Sequence, residues 1–385
     1  MALQADRNRV LIHALGADMG GALRHLTNFL PELAAQDRRR EYVVLVRDVF
    51  PAPDLPSNIR LERISRKRAA SWVSRVKFDL WDVPALASSL KCGAVVSLTN
   101  FGPVWCDTPH VLFQRNALFF CDYYWSLIGG RKRWEALARR RLLQASISKA
   151  EVIVTPSEAM ASMIRNTFPN LANKRFLTLY HGFEREALAA PLEDRFASLL
   201  KDRRGSKFLY PTHAARHKGF EVLLDMLAAL KSKGVEFCLF ATIDRQDWPE
   251  GVRRYEQRIR ELALGGEVVF TGRVPQDQMG ELYRACDLMI YPSLCESFGF
   301  SMIEAMGHGL PIVASDTMIN REICREGAIY YAPLNPVAGA ETVMHALDGE
   351  IRQQICQGGL RRMASFDWSW RRYASEFVAI LDSLR

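Results

Sequence analysis

Two glutamates flank a glycine-containing turn within residues 291–316. Glu296 and Glu304 are eight positions apart, and the sequence Ser-Phe-Gly-Phe of residues 297–300 lies between them. Carboxylates accept hydrogen bonds from sugar hydroxyls, and the N–H groups of a turn that enters a helix attract phosphate. The combination suits a nucleotide-sugar. Two plainer interpretations stay open: Glu304 caps its own helix in a capping box with Ser301, or Glu296 is an exposed loop acid.

Apolar segments on both sides of the turn must position these carboxylates. The sequences DLMIYPS (287–293) and LPIVASD (310–316) are typical of strands, and a short amphipathic helix follows the turn. In open α/β sheets, ligands bind beyond the carboxyl ends of the strands. We therefore expect the turn at the ligand-binding edge of such a sheet.

The order of residues in 296–311 resembles the signature of the family 4 retaining glycosyltransferases, which have the GT-B fold. In that signature a Glu, seven residues and a second Glu surround an S-F-G turn, followed by E-A-M/A, a glycine and a proline. This chain has Glu304-Ala305-Met306, Gly309 and Pro311 in those places. Such a long ordered match is more specific than a lone glycine-rich motif.

The resemblance implies roles for residues along most of the chain. Glu304 is expected to bind the ribose hydroxyls, Glu296 the transferred hexose and Lys218 the donor diphosphate. The backbone after the family's F-x-G sequence is expected to meet the nucleotide base. The donor-binding residues predicted in this way are Gly20, Gly21, Arg216, Lys218, Gly272, Arg273, Val274, Glu296, Ser297, Phe298, Gly299, Phe300 and Glu304.

The chain departs from the family pattern in two places. Thr212 stands where the family commonly has an Arg six residues before the Lys, and Arg216 is a candidate to supply that charge. Arg115 and Asn116 stand where many members have a His followed by Asp, Asn or Glu that contacts the donor sugar. The predicted catalytic residues are Glu296, Lys218, Arg115 and Asn116.

The start of the chain has the pattern of a βα unit. An apolar strand at 9–14 leads into Gly20, Gly21 and a helix, whose N–H groups would face whatever fills the crevice. The plainer alternative is that the two glycines only permit a tight turn. Strands at 94–100 and 110–116 would bring Thr99, Asn100, Arg115 and Asn116 to the same edge.

The predicted fold class is α/β, a GT-B arrangement of two doubly wound Rossmann-like domains facing a central cleft. At 385 residues the chain is long enough for two domains. We predict an acceptor-binding domain at 1–185, a nucleotide-sugar-binding domain at 186–365 and a crossover helix at 366–385 that packs on the first domain. The charged stretch at 184–207 is predicted to be a linker.

The positive charge belongs to the first half of the chain. Residues 1–184 hold 26 Lys and Arg against 16 Asp and Glu, whereas the remainder holds 25 against 27, which together give the net charge of +8. Two basic segments that contain Trp, 63–78 and 131–142, could lie on an anionic membrane or be solvated helix faces. No nucleic-acid-binding motif is present in the sequence, so nucleic acid is not an expected partner.

The eight cysteines form no C-x-x-C pair and have no His at zinc spacing. We therefore expect reduced thiols, no metal and no cofactor apart from the donor substrate. The apolar start is short and is interrupted by His13 and Asp18, which favours a strand over a signal peptide. The expected location is cytoplasmic, with peripheral attachment at the inner face of the plasma membrane as a further expectation.

The first functional hypothesis is a retaining hexosyltransferase that extends a cell-surface glycan such as lipopolysaccharide, exopolysaccharide or a lipid-linked oligosaccharide. Its partners would be a nucleotide-sugar donor and a glycan or glycolipid acceptor. A GT-B scaffold that binds nucleotide-sugars without catalysis is one alternative, for which Thr212 and Arg115 argue. A GT-B sugar-nucleotide epimerase is another. Fold alone does not choose among these.

Overall fold

The computed structural model describes residues 6–17, 20–51, 54–65, 71–184, 188–201 and 203–384. Parts of the predicted glycine turn, of the first basic segment and of the predicted linker lie outside these residues. Contacts divide the chain into two compact units. The first unit is Met1–Cys121, Ile128–Gly182 and Trp368–Arg385, and the second is Asp122–Leu127 and Phe183–Asp367. The second unit therefore includes one short segment from within the predicted first domain.

The first unit contains, among its described residues, a parallel sheet of seven strands. Its strands are β1 (Asp6–His13), β2 (Glu41–Arg47), β3 (Ile59–Ile64), β4 (Cys92–Ser97), β5 (His110–Phe113), β6 (Val152–Thr155) and β7 (Arg175–Thr178). Their spatial order is β3-β2-β1-β4-β5-β6-β7. The order reverses between β1 and β4, so the loops that follow these two strands open a crevice.

The second unit repeats this topology with six strands in the described residues. They are β8 (Ser206–Tyr210), β9 (Phe237–Ala241), β10 (Val268–Phe270), β11 (Leu288–Tyr291), β12 (Ile312–Ser315) and β13 (Ala328–Tyr331). All pairs are parallel, in the order β10-β9-β8-β11-β12-β13. Here the order reverses between β8 and β11.

Helices connect the strands of both sheets. They are α1 (Gly20–Gln36), α2 (Trp72–Lys77), α3 (Val83–Ser89), α4 (Asp122–Leu127), α5 (Gly130–Lys149), α6 (Glu158–Thr167), α7 (Asp194–Leu200), α8 (Phe220–Ser232), α9 (Pro249–Glu261), α10 (Met279–Arg284), α11 (Phe300–Gly307), α12 (Met318–Cys324), α13 (Pro336–Ala346), α14 (Gly349–Ala364) and α15 (Trp370–Asp382). A π-helical segment, Phe78–Asp82, joins α2 to α3, and a 3₁₀ turn, Arg216–Lys218, precedes α8.

Strand β1 shows why the first sheet is covered on both faces. Val10 and Ile12 belong to a core shared with α1 and α15, whereas Leu11 points to a second core with Phe78 and Val83. Successive side chains of a strand alternate between faces, so a strand buried on both sides reads as a continuous apolar run. The apolar sequence of β1 is explained by these two cores.

The C-terminal helix α15 packs on α1 within the first unit. The Phe29 and Phe377 rings lie 4.8 Å apart between these helices. At the start of α15, the Trp370 ring lies so close to Gly182 that a Cβ there would be 2.4 Å from it. Any larger residue at position 182 would therefore displace the tryptophan.

The structure adds detail to two charged segments. In the described part of 63–78, Ile64 ends β3 and is buried, and Phe78 is buried in the core beside α3. Trp72 packs against Phe101 with a ring-centroid distance of 5.1 Å. The stretch 184–207, predicted to be a linker, contains α7 and buries Phe196.

Among the described residues, no helix combines the length and apolar character that crossing a membrane requires.

Candidate functional site

The switch point of the second sheet brings two sequence-distant loops together. Residues 211–219 follow β8, and residues 292–299 follow β11, the strand next to it. Each loop leads into a helix, α8 after the first loop and α11 after the second. Two helix N-termini, with their partial positive charge, therefore begin at the carboxyl edge of the sheet.

The Lys218 and Glu296 side chains form an ion pair at this edge. Lys218 Nζ donates to Glu296 Oε1 at 2.7 Å, and the hydroxyls of Tyr291 and Ser293 donate to the same oxygen at 2.8 and 2.6 Å. The Glu296 side chain is only 13% exposed, which rules out an ordinary exposed loop acid. Within the described part of the chain, Glu296 Oε2 accepts no hydrogen bond, so it can accept one from a sugar hydroxyl.

The environment keeps Glu296 ionised. Burial by itself would raise the pKa of this carboxyl, but the charge of Lys218 and the hydrogen bonds from Lys218, Ser293 and Tyr291 outweigh it and hold the pKa below its usual value. Burial and the Glu296 charge raise the pKa of Tyr291 well above its ordinary value. Tyr291 is therefore a neutral donor to a charged acceptor at physiological pH.

Backbone contacts hold the two loops in register. Gly219 has φ +68°, and a Cβ at this position would lie 2.5 Å from the carbonyl oxygen of Pro292. Leu294 donates its N–H to the carbonyl of His217 at 3.2 Å, and Tyr210 OH donates to the carbonyl of Lys218 at 2.6 Å. The close approach at Gly219 thus places Lys218 beside Glu296.

Glu304 lies in α11 and is buried. Its Oε2 accepts a hydrogen bond from Tyr283 OH at 2.7 Å, and its Oε1 accepts one from Gln276 Nε2 at 3.1 Å. The helix is preceded by Gly299 as N-cap, with φ +88°, and no side chain caps it. The capping-box interpretation of Glu304 and Ser301 is therefore wrong.

The other residues of the predicted turn contribute both side-chain packing and a particular backbone conformation. Phe298 is buried, and its ring lies 5.3 Å from that of Phe300 at the start of α11. Ser297 is half-buried between Glu296 and Phe298. Phe298 therefore anchors the turn by its own burial, and Gly299 supplies the left-handed conformation that lets α11 begin immediately after it.

A cavity of about 450 Å³ lies beyond strands β9 and β10. Thr271, Gly272 and Arg273 line it, and Val274 follows them in the chain, half-buried. Gly272 has φ +74°, and no atom of the described structure lies within 4 Å of where its Cβ would be. Its backbone is thus open to a ligand.

The Arg273 side chain is paired with two carboxylates beside this cavity. It contacts Asp247, and its Nε lies 3.6 Å from Asp244 Oδ2. Because the guanidinium is engaged in this way, the backbone of the segment is the part that fits contact with a nucleotide base.

The Arg216 side chain contacts residues other than Lys218 and Glu296. Its Nη1 donates to the carbonyl of Leu127 at 3.1 Å, and its guanidinium carbon lies 5.7 Å from the Trp248 ring centroid. Residue 127 belongs to the short segment of the second unit that contains α4. The structure therefore gives Arg216 the role of anchoring that segment.

Sequence reasoning missed His213, which follows Thr212 directly. Loss of hydration and the charge of Lys218 lower the pKa of His213, whereas the charges of Glu296 and Asp247 oppose that shift and Arg273 adds to it. The imidazole thus experiences the charges of both the Lys218 pair and the Arg273 pair. The sequence offered one indication of this role: His213 directly follows Thr212, the position where the family commonly has an Arg.

In the first unit, Asn100 organises the predicted residues after β4 and β5. Asn100 Oδ1 accepts the N–H groups of Arg115 at 2.6 Å and Asn116 at 2.9 Å. Asn116 Oδ1 in turn accepts the N–H of Leu118 at 3.0 Å and caps a 3₁₀ turn. The Asn116 side chain is therefore used structurally, which leaves Arg115 as the functional candidate of the two.

The loops after β1 and β4 meet in the same unit. A Cβ at Gly16 would lie 3.4 Å from the Thr99 methyl carbon. Helix α1 begins at Gly20, and Gly21 is exposed in its first turn. The predicted glycines thus lie at the N-terminus of a helix next to the switch point, where an anionic group is favoured.

No cluster of three or more His, Cys, Asp or Glu side chains within the described ranges could hold a metal ion.

The fold and the ion pair at the switch point define a protein of the GT-B class. Among solved structures, the chain is similar to sucrose-phosphate synthase of Thermosynechococcus elongatus, with a TM-score of 0.75 and 18% identity over 97% of this chain and 98% of that one. It is also similar to Anabaena HepE in complex with UDP-glucose, with a TM-score of 0.70 and 16% identity over 98% and 100% of the chains. Both likenesses establish the fold.

Sequence comparison matches part of the chain to a family. Residues 193–360 match the family described as glycosyl transferases group 1. The chain is 24% identical over 197 residues to the O-antigen chain mannosyltransferase RfbU of Salmonella typhimurium, which covers 50% of this chain and 50% of that protein. The chain spans about half or less of the length of the curated relatives it matches first. Residues 193–360 of this chain are thus similar to the group 1 glycosyl transferases, and the fold is GT-B.

Proposed function

We propose that this protein is a hexosyltransferase that takes its sugar from a nucleotide-sugar and retains the anomeric configuration. The observation that carries the proposal is the Lys218 and Glu296 ion pair between two helix N-termini at the switch point of the second sheet. The family match and the UDP-glucose bound to the structurally similar HepE support this choice of donor.

We propose a task for each part of the site. Lys218 and the N-termini of α8 and α11 would neutralise the diphosphate, whose negative charge grows as the glycosidic bond breaks. Groups aimed at developing charge stabilise the transition state more than the ground state. Glu296 Oε2 would accept a hexose hydroxyl, Glu304 the ribose hydroxyls, and the backbone after β10 would meet the base.

The expected retention does not require a protein nucleophile. The leaving diphosphate can take the proton of the acceptor hydroxyl on the same face of the sugar while the new bond forms. Glu296 is held by three donors on one oxygen, and its lowered pKa makes it a poor proton acceptor. We therefore assign it to binding and orientation rather than to the acid or nucleophile role of a glycoside hydrolase.

The acceptor is proposed to be a growing cell-surface glycan at the cytoplasmic face of the plasma membrane. The name of the relative RfbU, an O-antigen chain mannosyltransferase, supports this class of acceptor. Helix α5 supports membrane contact, because Trp134 is 75% exposed in a turn with exposed Arg131, Lys132 and Arg133. An exposed tryptophan among basic residues suits an anionic membrane surface.

A donor panel tests the function. The protein is incubated with UDP-, GDP- and other nucleotide-hexoses together with glycan acceptors, and release of free nucleotide is measured. We expect turnover with one donor, and losses of about 100-fold or more in Glu296→Ala and Lys218→Ala. Glu250→Ala, which removes a carboxylate from an exposed ion pair on α9, is the matched control.

A binding protein without catalysis is the second candidate. Thr212 favours it, because this residue is uncharged and its backbone is bonded to the Thr242 hydroxyl, where the family commonly has an Arg. Calorimetry with the same donors separates the two proposals. Binding of a nucleotide-sugar with no turnover for any acceptor would favour the binding protein, and undiminished turnover in both Glu296→Ala and Lys218→Ala would contradict the site assignment.

A further inference from the structure

A cluster of polar side chains in the first unit includes neither Lys218 nor Glu296. We call it the Arg115 cluster, and it consists of Arg115, His25, His181 and Tyr373. The His25 ring lies 5.1 Å from that of His181 and 4.9 Å from that of Tyr373, and the rings of His181 and Tyr373 are 6.0 Å apart. The members come from α1, the loop after β5, the segment after β7 and α15. The cluster is thus a product of the tertiary fold.

Several polar atoms of the cluster lack hydrogen-bond partners. His25 is 0% exposed, and in the described structure neither of its ring nitrogens has a partner. Tyr373 is also fully buried, and its hydroxyl has no hydrogen-bond partner in the described structure. The same is true of Nε1 of the neighbouring Trp370. Buried polar groups in folded proteins are nearly always hydrogen-bonded, so such a concentration of unmatched groups points to a bound species.

Arg115 supplies a charge without a counter-ion. It is half-buried, and its guanidinium makes no ion pair or hydrogen bond with any residue that the structure describes. Glu376, whose charge reaches Tyr373, is itself paired with Arg372 at 2.8 Å. A cation taken out of water without an opposite charge is costly, and the planar guanidinium fork matches carboxylates and phosphates.

The neighbours of Arg115 also respond to its charge. Burial and then the charge of Arg115 lower the pKa of both His25 and His181 well below the ordinary value. Both rings are therefore neutral, and Arg115 is the cation of the cluster. Its backbone is fixed by Asn100, so the guanidinium is presented from a rigid loop two residues past the end of β5.

We propose that the Arg115 cluster binds an anionic group, a carboxylate or a phosphate ester, carried by a substrate of this protein. The cluster has donors from arginine, tyrosine and neutral imidazole and no carboxylate member, so it suits an anion rather than a metal ion. It lies at the carboxyl edge of a doubly wound sheet, where ligands bind. That the anion belongs to a substrate rests on the proposed function, whereas the anion site itself does not.

Inorganic anions test the site without reference to activity. Thermal unfolding and calorimetry are carried out with sodium phosphate and sodium sulfate against sodium chloride at equal ionic strength. We expect the oxyanions to raise the Tm of the protein and to bind about 10- to 100-fold more weakly to Arg115→Gln, because a charge-assisted bidentate contact is lost. Arg38→Gln, which removes an equally positive but exposed side chain, should behave like the wild type.

Arg115→Lys keeps the positive charge but loses the fork, and it should bind the oxyanions with intermediate affinity. If Arg115→Gln does not fold, this variant alone decides between weakened and unchanged binding. Equal oxyanion binding by the wild type and the folded Arg115 variants, or no binding by the wild type, would overturn the proposal. Equal binding by the wild type and the variants would mean that the oxyanion is an adventitious ion only.

Substrates then identify the source of the anion. A uronic-acid nucleotide-sugar is compared with the neutral hexose donor, and acceptors with and without an acidic group are compared in the same way. Arg115→Gln should raise KM for the acidic substrate at least tenfold more than it raises KM for the neutral partner. Oxyanion binding without any transfer would reject the proposed function and keep the site, whereas transfer without Arg115-dependent anion binding would reject the site.

Discussion

At the scale of single residues, the donor half of the site is an ion pair with additional donors. The Lys218 and Glu296 side chains are each about one-seventh exposed, and two hydroxyls share the same carboxylate oxygen with the lysine. A nearly buried pair is stabilising only when further hydrogen bonds satisfy it. Tyr291 and Ser293 meet that condition, which explains how a charged pair persists in this crevice.

The lowered pKa of Glu296 makes its contribution to stability dependent on pH. The folded-state pKa is below the ordinary value of 4.5, so the ionised carboxylate stabilises the fold above about pH 4.5, and this contribution is lost as the pH falls through the lower folded-state pKa. We expect Glu296→Gln to lower the free energy of unfolding by about 1–3 kcal/mol at pH 7, with a smaller difference in more acidic solution. Urea denaturation at a series of pH values measures this.

Glu250→Gln is the control for that series. Glu250 pairs with Arg254 on the surface of α9 and is 63% exposed, so its loss should change the free energy of unfolding by less than about 1 kcal/mol. If the free energies of unfolding of the wild type and Glu296→Gln differ by the same amount at every pH, Glu296 does not have the lowered pKa that its contacts indicate.

At the scale of elements, two loops after adjacent parallel strands build the site, and a glycine sets their distance. Gly219 combines a left-handed backbone with contact to the Pro292 carbonyl, and Gly299 has a left-handed backbone at the start of α11. The helices that follow point their N-termini to the same edge. The chemistry of the site thus depends on how closely two backbones approach.

Gly219→Ala should separate the loops that carry Lys218 and Glu296. The left-handed conformation alone costs an alanine about 1–2 kcal/mol, and the clash with the Pro292 carbonyl adds roughly 1–3 kcal/mol. Gly234→Ala is the matched control, because Gly234 has φ +77° but its Cβ would meet no described atom within 4 Å. Chemical denaturation and titration with the donor found in the panel compare the two.

We expect Gly234→Ala to be destabilised by the conformational term only and to bind the donor normally. Gly219→Ala should be destabilised further and bind the donor at least tenfold more weakly. Equal free energies of unfolding and equal donor affinities for the two variants would show that the contact with Pro292 does not position Lys218.

At the scale of the whole molecule, the charge is divided along the chain. Residues 1–184 carry the entire net positive charge, with 26 basic and 16 acidic residues, and the remainder is nearly balanced at 25 and 27. Of the two basic segments predicted to meet lipid, the first has Ile64 and Phe78 buried in the core, whereas Val73 is exposed. The turn of α5 around Trp134, which we propose contacts the membrane, is exposed.

Replacing Arg131, Lys132 and Arg133 by glutamine should weaken binding to vesicles that contain anionic lipid. Each basic residue near such a surface contributes about 1 kcal/mol, so the triple variant should bind roughly 100-fold more weakly. Vesicle co-sedimentation at two salt concentrations measures this. A variant with Arg253, Arg254 and Arg260 replaced by glutamine on α9 carries the same change in charge, and equal losses in both variants would show that only bulk charge matters.

The sequence by itself was sufficient for much of the fold. Both sheets are buried on two faces, so most strands appear as short apolar runs that need no knowledge of their partners. The order of residues around Glu296 and Glu304 predicted the GT-B class. The match of residues 193–360 and the structural similarity agree with that prediction. Strand β3 was missed because IRLERI, on the edge of its sheet, alternates charged and apolar residues and was partly assigned to a basic segment.

Tertiary structure alone decided what each functional side chain contacts. Lys218 and Glu296 are 78 positions apart in the chain, and Tyr283 reaches Glu304 from a preceding helix. Arg115 obtains its neighbours from α1 and α15, at opposite ends of the sequence. The pattern of apolar and polar residues in a segment indicates whether that segment can be buried, because burial depends on its own side chains. The partner of a buried charge depends on which distant strands become neighbours, and only the assembled sheets determine that.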